Sequence, residues 1–343
     1  MDKNFLYVIQ DQLKTDVISV TNLSGGKNSC VYRLSCADKK DYVVKFYFFH
    51  KSDKRNRLIT EFSALQFLYS NDIEYVPEPL LMNNDYGFSV FEFINGKRIK
   101  SENVSYEDIQ TLINFLLRLN QLKYYKDALK INNASEACFS INDYIKSIDL
   151  RLNRLKQLDK KKSIMNERLL IFICEKFLPV FENTKKRCNS LKMDCNKKLT
   201  FHQKTLSPSD YGFHNALRLI DKKIKFIDFE YFGWDDPAKM ICDFLLHPAM
   251  NLSFDRKNYF YNLILKHFED AEILKERIHI VYSLVALKWC MILLNEFVPE
   301  FLLRRNFSGD CKNNVEIKQK KQLKKSELML KKVIKEYENF PFK

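Results

Sequence analysis

Two short segments in the second half of the chain decide the predicted fold: Ser207-Pro208-Ser209-Asp210-Tyr211-Gly212-Phe213-His214-Asn215 and Ile224-Lys225-Phe226-Ile227-Asp228. The first is a turn-rich loop that carries Asp210 and Asn215, and the second is an apolar strand that ends at Asp228. Phosphoryl transfer uses a carboxylate to orient the acceptor hydroxyl and oxygen ligands to bind Mg²⁺. The order and spacing of these three residues match such a site.

The same three residues also have a simpler structural interpretation. Asp and Asn are common in turns, so Asp210 and Asn215 would only shape the loop, and Asp228 would only end the strand. Order and spacing together favour the catalytic interpretation. The two segments belong to a short β-rich island, with strands predicted over Leu199–Lys204, Ala216–Ile220 and Ile224–Phe229.

The first ninety residues are predicted to form a small antiparallel sheet with one helix. β-branched and aromatic runs separated by turn residues indicate the strands, and apolar residues at spacings of three and four indicate the helix. The predicted strands are Val17–Leu23, Ser29–Ser35, Asp41–Phe48, Leu80–Asn83 and Phe88–Ile94, and the predicted helix is Asn56–Tyr69.

After Gly96 the pattern becomes mainly helical. Ser105 and Asp108 form a capping box before an apolar helix, further helices are predicted over Ile141–Leu158 and Asn166–Phe181, and residues 183–198 are expected to be a polar connection. The predicted fold class is therefore α+β with two lobes. A small antiparallel β lobe spans residues 1–94, and a larger, mainly helical lobe spans residues 95–343.

A lysine and a glutamate in the first lobe match the nucleotide side of a kinase. Lys45 lies in the strand Val43-Val44-Lys45-Phe46, where its ammonium can reach a cleft, and Glu61 lies on the following helix. In kinases such a glutamate holds the lysine by an ion pair. Taken separately, each residue is an ordinary surface charge, but the strand-then-helix context favours the functional interpretation.

Four segments resemble the aminoglycoside/choline phosphotransferase family. Ser207 to Leu217 and Ile227 to Ala238 resemble its catalytic and metal-binding segments. Leu23 to Leu34 resembles its nucleotide-positioning loop, and Val90 to Gly96 resembles its hinge. The resemblance spans residues 17 to about 248 and implies a protein-kinase-like fold, ATP and Mg²⁺ as cofactors, and Asp210 as the catalytic residue that aligns the acceptor.

The resemblance also implies which residues hold the nucleotide and the metal. Mg²⁺ would be bound by Asn215 and Asp228, and Lys45, supported by Glu61, would contact the α- and β-phosphates. The remaining nucleotide-binding residues would be Gly25, Gly26, Asn28 and Ser29 under the phosphates and Glu92, Phe93 and Ile94 at the adenine.

Two positions depart from the family pattern. The family has His-Gly directly before its catalytic Asp, whereas this chain has Pro208-Ser209, so the loop must be braced differently. The family's Asp-Pro-Ala-x-Asp becomes Asp236-Pro237-Ala238-Lys239-Met240, with the next Asp at Asp243. His214 can be considered as a base, but its place beside Phe213 fits structural packing equally well.

Composition narrows the class of protein. With 46% hydrophobic and 29% charged residues the chain has the make-up of a globular protein. We see neither a membrane span nor a signal peptide in the sequence and expect a cytoplasmic protein. The nine cysteines show no zinc spacing and are expected to be reduced.

The formal net charge of +14 raises the question of a nucleic-acid partner. Much of this charge lies in the C-terminal segment, where Glu316 to Glu338 is predicted to be an amphipathic helix with a solvated basic face. No nucleic-acid-binding motif accompanies the charge, so we do not expect nucleic acid as the main partner.

The sequence therefore predicts a small-molecule kinase whose partners are a nucleotide and a hydroxyl acceptor. The basic C-terminal segment favours a sugar or another neutral or anionic metabolite over a cationic aminoglycoside. The departure at Pro208-Ser209 keeps open the alternative of a nucleotide-binding regulatory pseudokinase. The positive net charge keeps open the alternative of a nucleic-acid-associated protein.

Overall fold

A five-stranded antiparallel sheet forms the core of the first lobe in the computed structural model. The structure describes residues 3–23, 28–50, 53, 55–191, 194–307, 315–336 and 339–342. The strands run in the order β1-β2-β3-β5-β4. Their bounds are β1 Val17–Asn22, β2 Ser29–Cys36, β3 Asp41–Tyr47, β4 Pro79–Asn83 and β5 Phe88–Glu92. All five strands predicted for this lobe are therefore confirmed, with small shifts at their ends.

Two helices accompany this sheet, whereas the sequence predicted one. Helix α2, Arg57–Tyr69, is the predicted helix, and the Asn56 side chain caps it by accepting a hydrogen bond from the Ile59 N–H. Helix α1, Lys3–Leu13, was not predicted. Its Ile9 is fully buried in a small apolar cluster with residues of β2, β3 and β5, so α1 covers one face of the sheet.

The rest of the chain is mainly helical. Its helices are α3 Tyr106–Leu122, α4 Ile141–Lys156, α5 Ile164–Ile171, α6 Leu178–Ser190, α7 Pro237–Leu246, α8 Phe254–Leu265, α9 Ala271–Leu293, α10 Pro299–Phe307 and α11 Val315–Glu336. The capping box predicted at Ser105 and Asp108 is present, with the two reciprocal hydrogen bonds at 2.7 and 3.2 Å. The predicted fold class, a small β lobe followed by a mainly helical lobe, is confirmed.

Two small antiparallel sheets stand within the helical lobe. One pairs β7, Thr205–Ser207, with β10, Gly233–Asp235. The other joins β6, Lys97–Arg98, to β8, Ala216–Arg218, and β9, Ile224–Phe226. These two sheets correspond to the island expected from the sequence, although neither β6 nor β10 was predicted.

The strand predicted over Leu199–Lys204 is wrong. These residues form turns, and the strand of this region is β7. The reason is a tertiary contact: the Lys123 ammonium donates to the carbonyls of His202 and Lys204 at 2.8 and 3.2 Å, so these carbonyls have a lysine partner instead of a strand partner.

The helix predicted over Asn166–Phe181 is interrupted and longer than expected. A π-helical turn, Phe172–Phe177, separates α5 from α6. Pro179 lacks an N–H at the start of α6, so the hydrogen-bond pattern shifts there. Residues 183–190 of the predicted polar connection are helical because Thr184 and Cys188 continue the buried face.

The long apolar helix α9 runs through the main core. Together with the turn that follows it, Ala271–Phe297, it has the length and composition of a membrane span, and 72% of its most apolar window is buried inside the protein. Helix α11 packs against it by Leu323, Leu330 and Val333. The amphipathic helix predicted at the C-terminus is therefore present, and its lysines 320, 321, 324, 325, 331 and 335 are exposed.

Candidate active site

The loop that carries Asp210 lies between the two small sheets. It leaves β7 after Ser207 and enters β8 at Ala216. Gly212 has a φ of 141°, a conformation that residues with a side chain rarely adopt, so the loop turns at this position. Asp210 therefore stands on a short connection that is fixed at both ends.

The second predicted carboxylate, that of Asp228, follows the neighbouring strand β9. Asp228 lies two residues beyond β9, and the Ile227 N–H donates to the main-chain carbonyl of Asn215 at 2.9 Å. This bond ties the segments of Asn215 and Asp228, the two predicted metal ligands, to each other. Asp228 has a φ of 71°, a left-handed conformation that Asp tolerates better than most residues.

Lys45 on β3 is the centre of a buried charge cluster. Its Nζ lies 2.6 Å from Glu61 Oε2, 2.6 Å from Asp228 Oδ1 and 3.8 Å from Glu230 Oε2. Lys45 and Glu61 are only 6% and 3% exposed. The ion pair expected between Lys45 and Glu61 is present, and it also includes the carboxylate of Asp228. We call these four residues the lysine cluster.

Three carboxylates surround the Lys45 ammonium, and the Arg57 guanidinium lies 3.7 Å from one of them, Glu230. Acidic groups therefore still outnumber the cations around the lysine cluster. Burial alone would lower the pKa of Lys45, but attraction by Asp228 and Glu61 holds this pKa well above its usual value. Burial raises the pKa of Glu61. Burial and then repulsion by Asp228 raise the pKa of Glu230 to about 7.

Sequence reasoning missed Glu230 and Tyr47. Glu230 stands two residues after Asp228, and its closeness in sequence to a predicted metal ligand was the signal that could have identified it as a site residue. Its Oε1 accepts a hydrogen bond from Asn28 at 2.6 Å, and its buried Oε2 has no hydrogen-bond partner among the described residues. The Tyr47 hydroxyl donates to Glu61 Oε2 at 2.8 Å and lies 2.8 Å from the Ser89 hydroxyl.

The predicted phosphate-binding turn is described in part. Gly25 and Gly26 lie outside the described residues, so their role stays a prediction. The Asn28 amide donates to Glu230 at 2.6 Å and to the Tyr231 hydroxyl at 2.7 Å, which links this turn to the segment after β9. Ser29 is buried at the start of β2.

The predicted hinge follows β5 directly. The Glu92 N–H donates to the Glu78 carbonyl at 2.9 Å, and the Glu92 carboxylate accepts from the Glu78 N–H at 3.2 Å. The Phe93 ring lies 4.3 Å from the Arg33 guanidinium, and the Ile94 carbonyl accepts from a main-chain N–H two residues later. The connection between the lobes is thus bent at these residues.

Asp210 forms a second group with two histidines. His214 Nε2 and His247 Nε2 lie 3.0 and 3.1 Å from the same oxygen, Asp210 Oδ1. The two imidazole rings are stacked at 4.0 Å. Burial alone would raise the pKa of Asp210, but the two imidazole hydrogen bonds outweigh burial and lower this pKa well below its usual value. We call this group the histidine pair.

The residues around Asp228 fit a hard divalent cation. One oxygen each of Glu61, Asp228 and Glu230 lie within 4.8 Å of one another. The Asn215 amide nitrogen donates to the Asp210 carbonyl at 3.0 Å, which leaves the amide oxygen of Asn215 as an acceptor. Mg²⁺ prefers carboxylate and amide oxygens, and it is suited both by the surplus of acidic groups and by Glu230 Oε2, which accepts no hydrogen bond from a described residue.

The two departures from the expected pattern meet in one buried cluster. Lys239 Nζ lies 2.7 Å from Asp235, 3.0 Å from Asp243 and 3.5 Å from the Ser209 hydroxyl. Ser209 has a φ of 65°, in the left-handed region that favours glycine. The loop before Asp210 is therefore held by a lysine of α7, which sequence reasoning did not anticipate.

Part of the chain matches a known protein family. Residues 19–166 match the model of the phosphotransferase enzyme family. No curated protein sequence matches the chain. The matched segment contains Lys45 and Glu61 and ends before the loop of Asp210.

Solved structures share the fold along nearly the whole chain. A spectinomycin phosphotransferase in complex with ADP and spectinomycin has a TM-score of 0.66 at 12% identity, covering 95% of this chain and 94% of that one. A choline kinase from Streptococcus pneumoniae has a TM-score of 0.60 at 16% identity, covering 96% and 100%. An ethanolamine kinase from Plasmodium vivax has a TM-score of 0.60 at 13% identity, covering 94% and 84%. These likenesses show that the chain has the kinase-like fold of the three solved structures, and the family match covers its residues 19–166.

Proposed function

We propose that the protein is an ATP- and Mg²⁺-dependent kinase that transfers the γ-phosphate of ATP to a hydroxyl group of a small molecule. The observation that carries the proposal is the position of Lys45, held at 2.6 Å by both Glu61 and Asp228. A lysine paired with a helix glutamate, beside an aspartate that could bind Mg²⁺, is the arrangement used by kinases of the protein-kinase type.

On the nucleotide side, the site residues act by positioning the phosphates and by balancing their charge. Lys45 binds the α- and β-phosphates, and Glu61 holds its ammonium in place. Asn215 and Asp228, with Glu230 nearby, would hold Mg²⁺, and a bound Mg²⁺ would supply positive charge to the phosphates. In this proposal Gly25, Gly26, Asn28 and Ser29 bind the phosphates, and Glu92, Phe93 and Ile94 bind the adenine.

On the acceptor side, Asp210 orients the hydroxyl for attack. Its carboxylate is 37% exposed, so an acceptor can reach it. Because its pKa is low, Asp210 is ionised and accepts a hydrogen bond from the hydroxyl. The acceptor oxygen then forms its bond to phosphorus while the bond to the β-phosphate oxygen breaks, and ADP leaves.

The acceptor is a sugar or a related metabolite rather than a polycationic aminoglycoside. Tyr231, which is close enough to Asp210 to feel its charge, has the Arg55 guanidinium 5.8 Å from its ring. Arg55 also lies 3.9 Å from the carboxylate of Glu136, which is paired with Arg151 at 2.6 Å. This carboxylate is therefore already neutralised and offers no free charge to an ammonium group.

The test is nucleotide turnover with Mg²⁺ across a panel of sugars, amino sugars, aminoglycosides and choline, for wild type and Asp210→Asn. We expect acceptor-stimulated turnover with a sugar, and a decrease in kcat on the order of 10²–10⁴-fold in Asp210→Asn. Asp221→Asn, an exposed change in the β8–β9 turn, is the matched control. Tight Mg·ATP binding without phosphorylation of any panel compound would instead favour a regulatory pseudokinase. Absence of nucleotide binding would refute the assigned site.

A further inference from the structure

The histidine pair shows how the loop of Asp210 is braced although Pro208-Ser209 replaces the expected His-Gly. We propose that His214 and His247 are positioning residues that hold one oxygen of Asp210, so that the other oxygen meets the acceptor hydroxyl. The proposal rests on the function proposed above. His247 belongs to the end of α7 and lies 37 residues from Asp210 in sequence, so the catalytic loop is braced from a different element.

The hydrogen bonds around His247 fix which of its nitrogens carries the proton. The Ala249 N–H donates to His247 Nδ1 at 3.1 Å, so Nδ1 must present a lone pair. In the neutral ring the proton then sits on Nε2, which donates to Asp210 Oδ1 at 3.1 Å. Burial lowers the pKa of His247, which supports the neutral form.

His214 supplies the second donor to the same oxygen. Its Nε2 lies 3.0 Å from Asp210 Oδ1, and its Nδ1 is buried without a hydrogen-bond partner among the described residues. A proton on Nδ1 would be an unsatisfied buried donor, so the Nε2–H form is preferred here also. Two neutral N–H groups therefore occupy Oδ1 and leave Oδ2 for the acceptor.

The same three residues have ligand atoms within 4.8 Å of one another, which would also suit a metal ion. A metal on His247 Nε2 would require the ring proton to move to Nδ1. There it would face the Ala249 N–H, so two donors would point at each other. Metal-binding histidines instead donate their second N–H to an acceptor. The geometry thus favours a hydrogen-bonded brace over a metal site.

His247 is itself held rigidly. The Trp289 ring of α9 contacts it edge-on at a centroid distance of 4.6 Å, and Trp289 Nε1 donates to Asp243 at 2.9 Å. Asp243 in turn pairs with Lys239, which also contacts the Ser209 hydroxyl. The carboxylate of Asp210 and the loop before it are thereby fixed by the same part of α7.

The kinetic experiment compares His247→Leu, which removes the donor, with His247→Gln, whose amide N–H can replace Nε2–H. For the best acceptor of the panel, or for Mg·ATP hydrolysis if none is found, we expect His247→Leu to decrease kcat by about 10- to 100-fold, the value of a hydrogen bond to a charged group. KM for ATP should change less than about twofold, and His247→Gln should recover most of kcat. His267→Leu, at an exposed histidine, is the control.

A second measurement does not depend on activity. Long-range ¹H–¹⁵N NMR of the imidazole rings at neutral pH, assigned with the His214→Gln and His247→Gln variants, should show the Nε2–H form for both histidines. An Nδ1–H form of His247 would overturn the brace, and so would equal kcat values for His247→Leu and His247→Gln. If wild type has no phosphotransfer or ATP hydrolysis, the proposed function fails, while the NMR result still decides whether the brace exists.

Discussion

The two carboxylate groups of the site are held in opposite ways. In the lysine cluster, Asp228 is held by a full positive charge at 2.6 Å, within an excess of buried acids. In the histidine pair, Asp210 is held by two imidazole N–H groups. The first group stores repulsion that a metal ion could relieve. The second keeps a single carboxylate ionised, with one oxygen left for the proposed acceptor hydroxyl.

This difference indicates where the site needs charged side chains and where a charged partner would interfere with binding of the acceptor. Phosphates and Mg²⁺ are charged ligands, so buried ions suit the side of Lys45. A cation paired tightly with Asp210 would compete with the weak hydrogen bond from an acceptor. Neutral donors orient the carboxylate without cancelling its charge.

Apart from substitution of Asp210 itself, the largest effect should come from neutralising the charged side. Asp228→Asn keeps the shape of the side chain but removes the charge of one proposed Mg²⁺ ligand, and that charge is also a partner of Lys45. We expect kcat to fall on the order of 10³-fold, as for loss of a principal electrostatic group. Steady-state kinetics with ATP measure it, with Asp221→Asn as the control. A loss no larger than that of His247→Leu would show that the charged side is not the dominant one.

A second change tests the stored repulsion directly. The folded protein holds the pKa of Glu230 at about 7, above the value of 4.5 of an ordinary Glu, so the fold binds this proton more tightly than the unfolded chain does. The stabilisation from that proton is fully present below about pH 4.5 and is lost as the pH rises through 7. Without ligands, Glu230→Gln should therefore be more stable than wild type at pH 8, on the order of 2 kcal/mol.

Urea denaturation at pH 6 and pH 8 measures this difference in the free energy of unfolding. The advantage of Glu230→Gln should be smaller at pH 6, and Mg²⁺ at pH 8 should stabilise wild type more than the variant. Glu175→Gln, at an exposed position, should show neither effect. A variant that is less stable than wild type at both pH values would contradict the excess of negative charge in the lysine cluster.

The two groups also differ in how far sequence predicted them. Lys45 and Glu61 lie on a strand and a helix with regular apolar patterns, so their elements and their pairing were predictable. His247 was not, because its contact with Asp210 depends on how α7 packs against the loop. A pattern within one element cannot report the packing between two elements.

The same limit explains the errors in the fold. The main strands and helices were predicted because their periodic apolar residues are local signals. The strand predicted at Leu199–Lys204 failed because Lys123, distant in sequence, satisfies the carbonyls of this segment. β10 was missed because it is only three residues long, Gly233–Asp235, and so short a strand has no repeating pattern to recognise.

The smallest effect should come from a neutral hydrogen bond inside the charged group. Tyr47→Phe removes the hydroxyl that donates to Glu61 at 2.8 Å, but it leaves the Lys45–Glu61 ion pair in place. A neutral donor to a buried carboxylate contributes about 1.5 kcal/mol, and part of this is regained because Lys45 still satisfies Glu61.

We therefore expect KM for ATP to rise about three- to tenfold in Tyr47→Phe, with kcat nearly unchanged, because Lys45 would be oriented less well for binding but would keep its charge at the phosphates. Tyr7→Phe, at an exposed tyrosine, should leave both constants unchanged. A loss of kcat comparable with that of His247→Leu would mean that neutral hydrogen bonds matter equally on both sides, and the contrast between the lysine cluster and the histidine pair would then be one of composition rather than of mechanism.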